Sequence, residues 1–430
     1  MSFPGDSTHA SAQARGQRDE ASVVLGRWRC RATLPSDASH ARPRCRPSQI
    51  PASASPLRLI LLLAVMHASF GGARLAIALQ ALQLQASPVT VGLLMSLMML
   101  VPTFVAVPVG RWVDRGGYLR PTALALAGIV AGEGVAAVLP TVPGLALTSV
   151  LVGTSFMLAH VAVNNAIGHI AGAGGRTRAF GLMAVGFSLS ALVGPMLAGA
   201  AIDAVGYRWA FASLGLLPLL ASGLLLHAPV MPRRAAGPQA RTGGVGALLR
   251  LPRLRSVLLV SALISAGWDL FTFLVPLHGA RSGLSATAIG LVAGAFGVGS
   301  AAVRVALPWI SRRLPEWKLL GTALVLSGVG YFLFPFCTTT TTMLPLALVL
   351  GVVLGCGQPV VMSLLHVTAP PERTGEAVGL RAAITSLGQT VLPLAFGAVG
   401  TALGMQPLFW TAAVVLGVGG GYAARRPGVH

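Results

Sequence analysis

Asp269 stands near the centre of a long apolar run, inside Gly267-Trp268-Asp269, while His67 and Arg74 stand seven residues apart in another. A carboxylate and a guanidinium among leucines, alanines and valines are costly to keep, so they are the first functional candidates in the chain. Seven residues are two helical turns, which puts His67 and Arg74 on one helix face. Asp269 could bind and release a proton, and Arg74 could hold an anionic group of a small molecule. The plain alternative is that the two simply pair. Glu133 is a second acid inside an apolar run, a proton site or a local packing residue. His160 and Asn164, four apart, together with Gln358 and Gln389, are candidates for polar lining, and Thr385 sits one turn before Gln389. Each could equally be a bond between helices, and Trp268 could pack on a bound molecule or fill space.

Other chemistry is excluded. No nucleotide-binding glycine loop, metal-ligand cluster or nucleophile–base set occurs, so ATP-driven pumping, enzymatic catalysis, a metal and a cofactor are not expected. Cys30, Cys45, Cys337 and Cys356 show no redox or metal spacing. The net charge of +20 does not mark a nucleic-acid binder, because its arginines fall between apolar runs and form no basic stripe interleaved with aromatics.

The elements that must position these residues are membrane helices. The 430 residues are 54% hydrophobic and only 10% charged, with a mean hydropathy of +0.76, whereas soluble domains carry about 25% charged residues. Twelve apolar runs follow residue 56, each near the ~20 residues that cross the hydrocarbon as helix. Their expected spans are 57–80, 88–110, 120–139, 144–167, 178–201, 209–228, 256–278, 286–309, 318–336, 343–367, 377–400 and 407–424. Residues 1–55 hold eight arginines and no signal-length apolar run; they read as a disordered cytoplasmic tail or an upstream mis-called start. The basic stretch 229–255 divides the array into six-helix halves, 56–228 and 256–424, followed by a tail at 425–430. Loops after the even-numbered helices, with the C-terminal tail, hold 17 basic residues, against two, Arg208 and Arg281, in the others. That bias places both termini in the cytoplasm. Thirty arginines beside the single Lys318 suggest a GC-rich gene and a bacterial inner membrane.

The halves repeat at a shift of 198 residues. Ser87-Pro88-Val89-Thr90-Val91-Gly92-Leu93 falls on Ser285-Ala286-Thr287-Ala288-Ile289-Gly290-Leu291, and Gly181, Ser188, Pro195 and Gly199 fall on Gly379, Ser386, Pro393 and Gly397. Two parallel halves with a substrate site between them at mid-membrane is a known transporter architecture.

Between the second and third apolar runs stand Gly110, Asp114, Arg115 and Gly117, followed by Tyr118, Leu119 and Arg120. On this stretch the chain resembles the major facilitator superfamily over residues 56 to 424: the first four match that family's signature loop between helices 2 and 3, with Tyr118 and Leu119 replacing its basic pair and Arg120 arriving late. The copy at Pro308 to Arg313 lacks the glycine and the aspartate. The resemblance implies that Asp114 faces the start of helix 11, near Glu376 to Arg381, as a conformational latch with Gly110, Arg115, Gly117, Arg313 and Arg381. Gly194, Pro195 and Gly199 are similar to the family's Gly-Pro packing motif of antiporters, while the helix 4 arginine of proton-coupled drug exporters is absent.

The expectation is therefore an all-α, twelve-helix, monomeric secondary transporter, moving a small molecule with protons across a lipid bilayer by alternating access. Export of amphipathic compounds leads, uptake of a small organic anion is the alternative, and a non-transporting receptor is remote. Arg304 and Arg381, near helix ends, could snorkel to the interface.

Overall fold

The computed structural model describes residues 56–226, 248–370 and 373–426, less some side chains within them, those of Asp114 and Arg115 included. The expected tail at 1–55, residues 427–430 of the expected tail at 425–430, and most of the linker lie outside the described residues.

Apolar sequence in a bilayer must satisfy its own backbone, and the described residues do so as helix, with no strand among them. In chain order the helices are α1 (Leu57–Gln83), α2 (Pro88–Gly116), α3 (Leu119–Val138) and α4 (Val142–Ile170). A continuous assignment then runs over Gly172–Leu226 and is broken at Gly206, whose φ of 82° and ψ of 170° are not helical. Its apolar part is 49 residues long, roughly 70 Å as helix, about twice the hydrocarbon thickness. It therefore holds two crossings, α5 (172–205) and α6 (207–226). The second half follows as α7 (Pro252–Arg281), α8 (Ala286–Ile310), α9 (Glu316–Leu333, ending in a 3-10 turn), α10 (Thr340–Thr368, interrupted at Cys356), α11 (Thr374–Leu403) and α12 (Gln406–Ala424). Twelve crossings result.

Among the boundaries that differ from expectation, two involve charged residues. α2 does not stop at 110 but runs through Gly110, Asp114 and Arg115 to Gly116, so most of the expected loop is helix. Nothing forbids helix once the charged turns have left the hydrocarbon; the chain stops where Gly117, at φ 77°, supplies the left-handed residue that ends a helix. α7 likewise begins at Pro252, taking Arg253 and Arg255 into its first turn.

The 198-residue repeat is visible in the backbone. Ser87 and Ser285 cap α2 and α8, each accepting the amide of the residue three ahead. The sharp turns repeat as well, at Gly206 and Gly404 (φ 82° and 84°) and at Gln85 and Gly283 (φ 57° and 76°). Each pair is separated by 198.

The halves meet along two crossings related by the same shift, α5 on α8 and α2 on α11. Without a hydrophobic force between helices in lipid, close backbone approach supplies the contact. A Cβ added to Gly290 would lie 2.5 Å from the Pro195 carbonyl oxygen, and one on Gly92 2.2 Å from that of Pro393. Gly199 approaches the Ala286 oxygen and Gly397 the Pro88 oxygen in the same way, at 2.3 and 2.5 Å. Gly194 faces α1 instead, where an added Cβ would meet the Ala68 oxygen at 2.3 Å. The Gly-Pro motif thus sits where α5 contacts both a neighbour in its own half and the other half.

At the end carrying the odd-numbered connections, each seam closes on a helix N-terminus. The Asp203 carboxylate accepts the Ala286 amide at 3.1 Å and the Thr287 amide at 2.7 Å. Its counterpart by the repeat, Thr401, accepts the Val89 amide at 3.2 Å through its hydroxyl.

Candidate functional site

α1 and α7 face each other between the halves, and the charges found in their sequences meet there. Arg74 Nη1 lies 3.8 Å from Asp269 Oδ1, with side chains only 12% and 3% exposed. Gln389 Nε2, on α11, donates to the same Asp269 oxygen at 3.3 Å. The Thr272 hydroxyl, one turn on, caps the Asp269 carbonyl at 2.9 Å. A buried carboxylate is tolerable when it is paired and hydrogen-bonded, and Asp269 is both.

The polar contact continues along the α7–α11 face. Arg381 Nε donates to Ser261 Oγ at 2.8 Å, and the Thr385 and Ser265 hydroxyls lie 3.5 Å apart. With Gln389 and Asp269 these make three rungs, each four residues from the next on both helices. Arg381 is therefore turned toward α7. Glu376 is taken by Arg373, 2.5 Å away. Arg313 is exposed just past the end of α8. The side chains of Asp114 and Arg115 lie outside the described residues.

Beside the ion pair is a cavity of about 90 Å³. Phe70 and Leu75 of α1, Pro195 of α5, Trp268 and Phe271 of α7 and Phe296 of α8 form its apolar walls, and His67, Arg74 and Thr272 add polar groups. Behind His67 an aromatic cluster extends through the N-terminal half. The His67 ring is 4.7 Å from that of Phe187 and 5.5 Å from that of Phe156, which stacks on Phe70 at 4.5 Å and on His160 at 5.7 Å. His67 Nδ1 and Asn164 Oδ1 are buried without a hydrogen-bond partner.

Two candidates, Gln358 and Glu133, fall elsewhere. Gln358 is exposed, just after the interruption in α10, and is not among the cavity's lining residues. Glu133 is fully buried, but against α6, where a Cβ on Gly215 would come within 3.2 Å of its own Cβ. Neither of its carboxylate oxygens is hydrogen-bonded. Arg304, which by its place near a helix end could have reached the interface, crosses the seam from α8 to α5. Its Nη1 donates to the Ala184 carbonyl at 2.9 Å and to Ser188 Oγ at 2.7 Å, while its guanidinium lies 5.9 Å from the Trp268 ring centroid. Sequence depth alone cannot show which way a helix face points, and so it left open whether Arg304 and Arg381 turn inward. The α7–α11 rungs had a readable signal, polar residues every fourth position on both helices, that Gln389 and Thr385 revealed only in part.

Comparison with known proteins agrees with this architecture. The family model described as Major Facilitator Superfamily matches residues 59–344 and 257–427. Among solved structures, a bacterial homolog of the human lysosomal transporter Spinster, inward-facing and unoccupied, superposes with a TM-score of 0.70 at 15% identity, covering 87% of this chain and 97% of that one. A mutant of the nucleoside transporter NupG gives 0.71 at 14% identity over 86% and 98% of the two chains. A mutant of the peptide transporter POT gives 0.73 at 13% identity over 86% and 93%. At such identities the likeness is one of fold, and the family match extends it to membership. With two six-helix halves repeating at a constant shift and a charged pair joining them, this multi-pass membrane protein belongs to the Major Facilitator Superfamily of transporters.

Proposed function

We propose that this transporter couples proton movement to export of small amphipathic compounds, rocking its halves about the cavity between α1 and α7. The observation that carries the reading is the buried Arg74–Asp269 pair, which joins the halves and includes the described residue best placed to take a proton. Protonation of Asp269 cancels the attraction that holds Arg74. A buried pair broken from one side costs about 3–5 kcal/mol, enough to bias two nearly balanced conformations decisively. Gln389 can remain bonded to the neutral acid, so the group stays in place through the cycle. The aromatic walls favour a guest with substantial apolar surface, and His67, Arg74 and Thr272 offer it a few polar contacts.

The arginine distribution supports an orientation with both termini inside, in a bacterial inner membrane, and one chain contains a complete cavity, consistent with a monomer. A second reading, uptake of a small organic anion, draws support from Arg74, which lines the cavity and could exchange Asp269 for a substrate carboxylate. Counterflow and net flux in proteoliposomes separate the two, using a panel of hydrophobic cations, neutral amphipaths and small organic acids, with and without an imposed pH gradient. Gradient-driven flux of an amphipath that disappears in Asp269→Asn, with counterflow retained, is the expected result. Undiminished gradient-driven flux in that variant would remove Asp269 from the coupling step.

A further inference from the structure

The two seams are fastened differently where the odd-numbered connections lie, and the difference follows from the donors each helix start leaves free. An α-helix begins with amides that have no partner inside the helix. In α8 these are Ala286, Thr287 and Ala288, and Ser285 of the same half takes only the last. The other two are filled from across the seam by one carboxylate, Asp203 at the end of α5, with one oxygen on each amide. The Thr287 hydroxyl adds a 3.4 Å contact to the Gly199 carbonyl. In α2 the corresponding first residue is Pro88, which has no amide hydrogen; Ser87 takes Thr90, and a single acceptor remains to be supplied. Thr401, a neutral hydroxyl, supplies it.

We propose that Asp203 is the principal latch closing this end of the transporter, a charge-assisted cap placed by one half on a helix of the other. Both partners must separate when the halves open here, because Asp203 and the α8 amides belong to different halves. The carboxylate has two bonds to lose and also faces the positive end of the α8 dipole. The Thr401 contact has one bond and no charge. The α5–α8 seam therefore resists opening more than the α2–α11 seam, and Asp203 biases the resting population toward the conformation closed at this end. The inference concerns the rocking motion alone and depends on neither the cargo nor the coupling ion.

The test is a distance measurement across the latched end. Spin labels are attached at Pro140→Cys and Thr338→Cys, which are exposed, equivalent by the 198-residue shift and in opposite halves. The natural cysteines are replaced, and the full chain is reconstituted in nanodiscs. Asp203→Ala is expected to raise the population of the longer, open distance by about three- to tenfold, the range for losing charged bonds at a partly exposed helix start. Asp203→Asn, which keeps one acceptor, should raise it less. Ala286→Pro leaves Asp203 untouched and removes one of its two donors; proline suits the first helical position and is the residue α2 already carries there. It should shift the population in the same direction, which keeps the test decisive if the Asp203 variants fold poorly. Thr401→Ala should have a smaller effect than Asp203→Ala. An unchanged distance distribution in well-folded Asp203→Ala, or in Ala286→Pro, would overturn the proposal, as would a larger shift from Thr401→Ala.

Discussion

The α1–α5 face and the α7–α11 face occupy equivalent places in the two halves and carry opposite chemistry. At three successive turns the C-terminal half pairs Ser261 with Arg381, Ser265 with Thr385 and Asp269 with Gln389. Subtracting 198 gives Leu63 and Met183, His67 and Phe187, and Gly71 and Ala191. One face is a run of hydrogen bonds ending on a carboxylate. The other is apolar and aromatic, with His67 packed into it at 4.7 Å from Phe187. The same backbone therefore supports two kinds of surface, and the division has a physical logic. A buried charge needs fixed dipoles around it, since an unpaired one costs several kcal/mol. An apolar guest needs broad, polarizable area without competing polar groups. In the proposed function this separation gives the proton the α7–α11 face and the cargo the apolar, aromatic walls.

The largest expected effect tests the charged side. Arg74→Leu leaves Asp269 without its counter-charge and should lower stability by about 3–5 kcal/mol. Arg74→Leu combined with Asp269→Leu should recover most of that loss, because the uncompensated charge has gone. Thermal unfolding in detergent at neutral pH of both single variants and the double measures the cycle; a double-variant loss equal to the sum of the two single losses would show that the pair is not coupled. A middling effect tests the aromatic side. Phe156→Ala removes the ring stacked on Phe70 and should raise the half-saturating concentration of an amphipathic substrate roughly fivefold, in line with about 1 kcal/mol for an aromatic contact. The pH dependence of flux should be unchanged; a shifted pH profile would mean that the walls do not divide the work. The smallest effect is on the middle rung. Thr385→Val breaks a 3.5 Å contact at the limit of hydrogen-bond geometry and should change stability by less than about 0.5 kcal/mol. A loss comparable to that of Arg74→Leu would show that the rungs act as one unit.

The array of helices was legible because apolar runs of bilayer length separated by arginines leave little choice of fold, and the repeat carried Pro and Gly in register. Asp269 and Arg74 were legible for the same reason, since a charge stands out against leucine. Direction around a helix was not. Arg304 and Arg381 lie near helix ends by residue count, yet their azimuth turns them inward, and Gln358 turns the other way after α10 is interrupted at Cys356. The charged stretch from Gly110 was read as a loop because glycine and arginine suit one, whereas backbone geometry permits helix as far as Gly117. Asp203 was passed over because an acid in a short connection looks like ordinary solvated surface. Its meaning depends on the α8 amides, which reach it from another half of the chain.

The constant offset also makes the molecule its own control. For each residue of one half, the other shows what a second side chain does at the same scaffold position, on a backbone already proven to accept it. Gln85 holds a left-handed conformation that its counterpart fills with Gly283, so that turn is imposed by the surrounding helices and not by the residue in it. In an experiment this supplies matched substitutions from within a single chain, and a comparison that in most proteins requires a second molecule can be made across one pseudo-twofold axis.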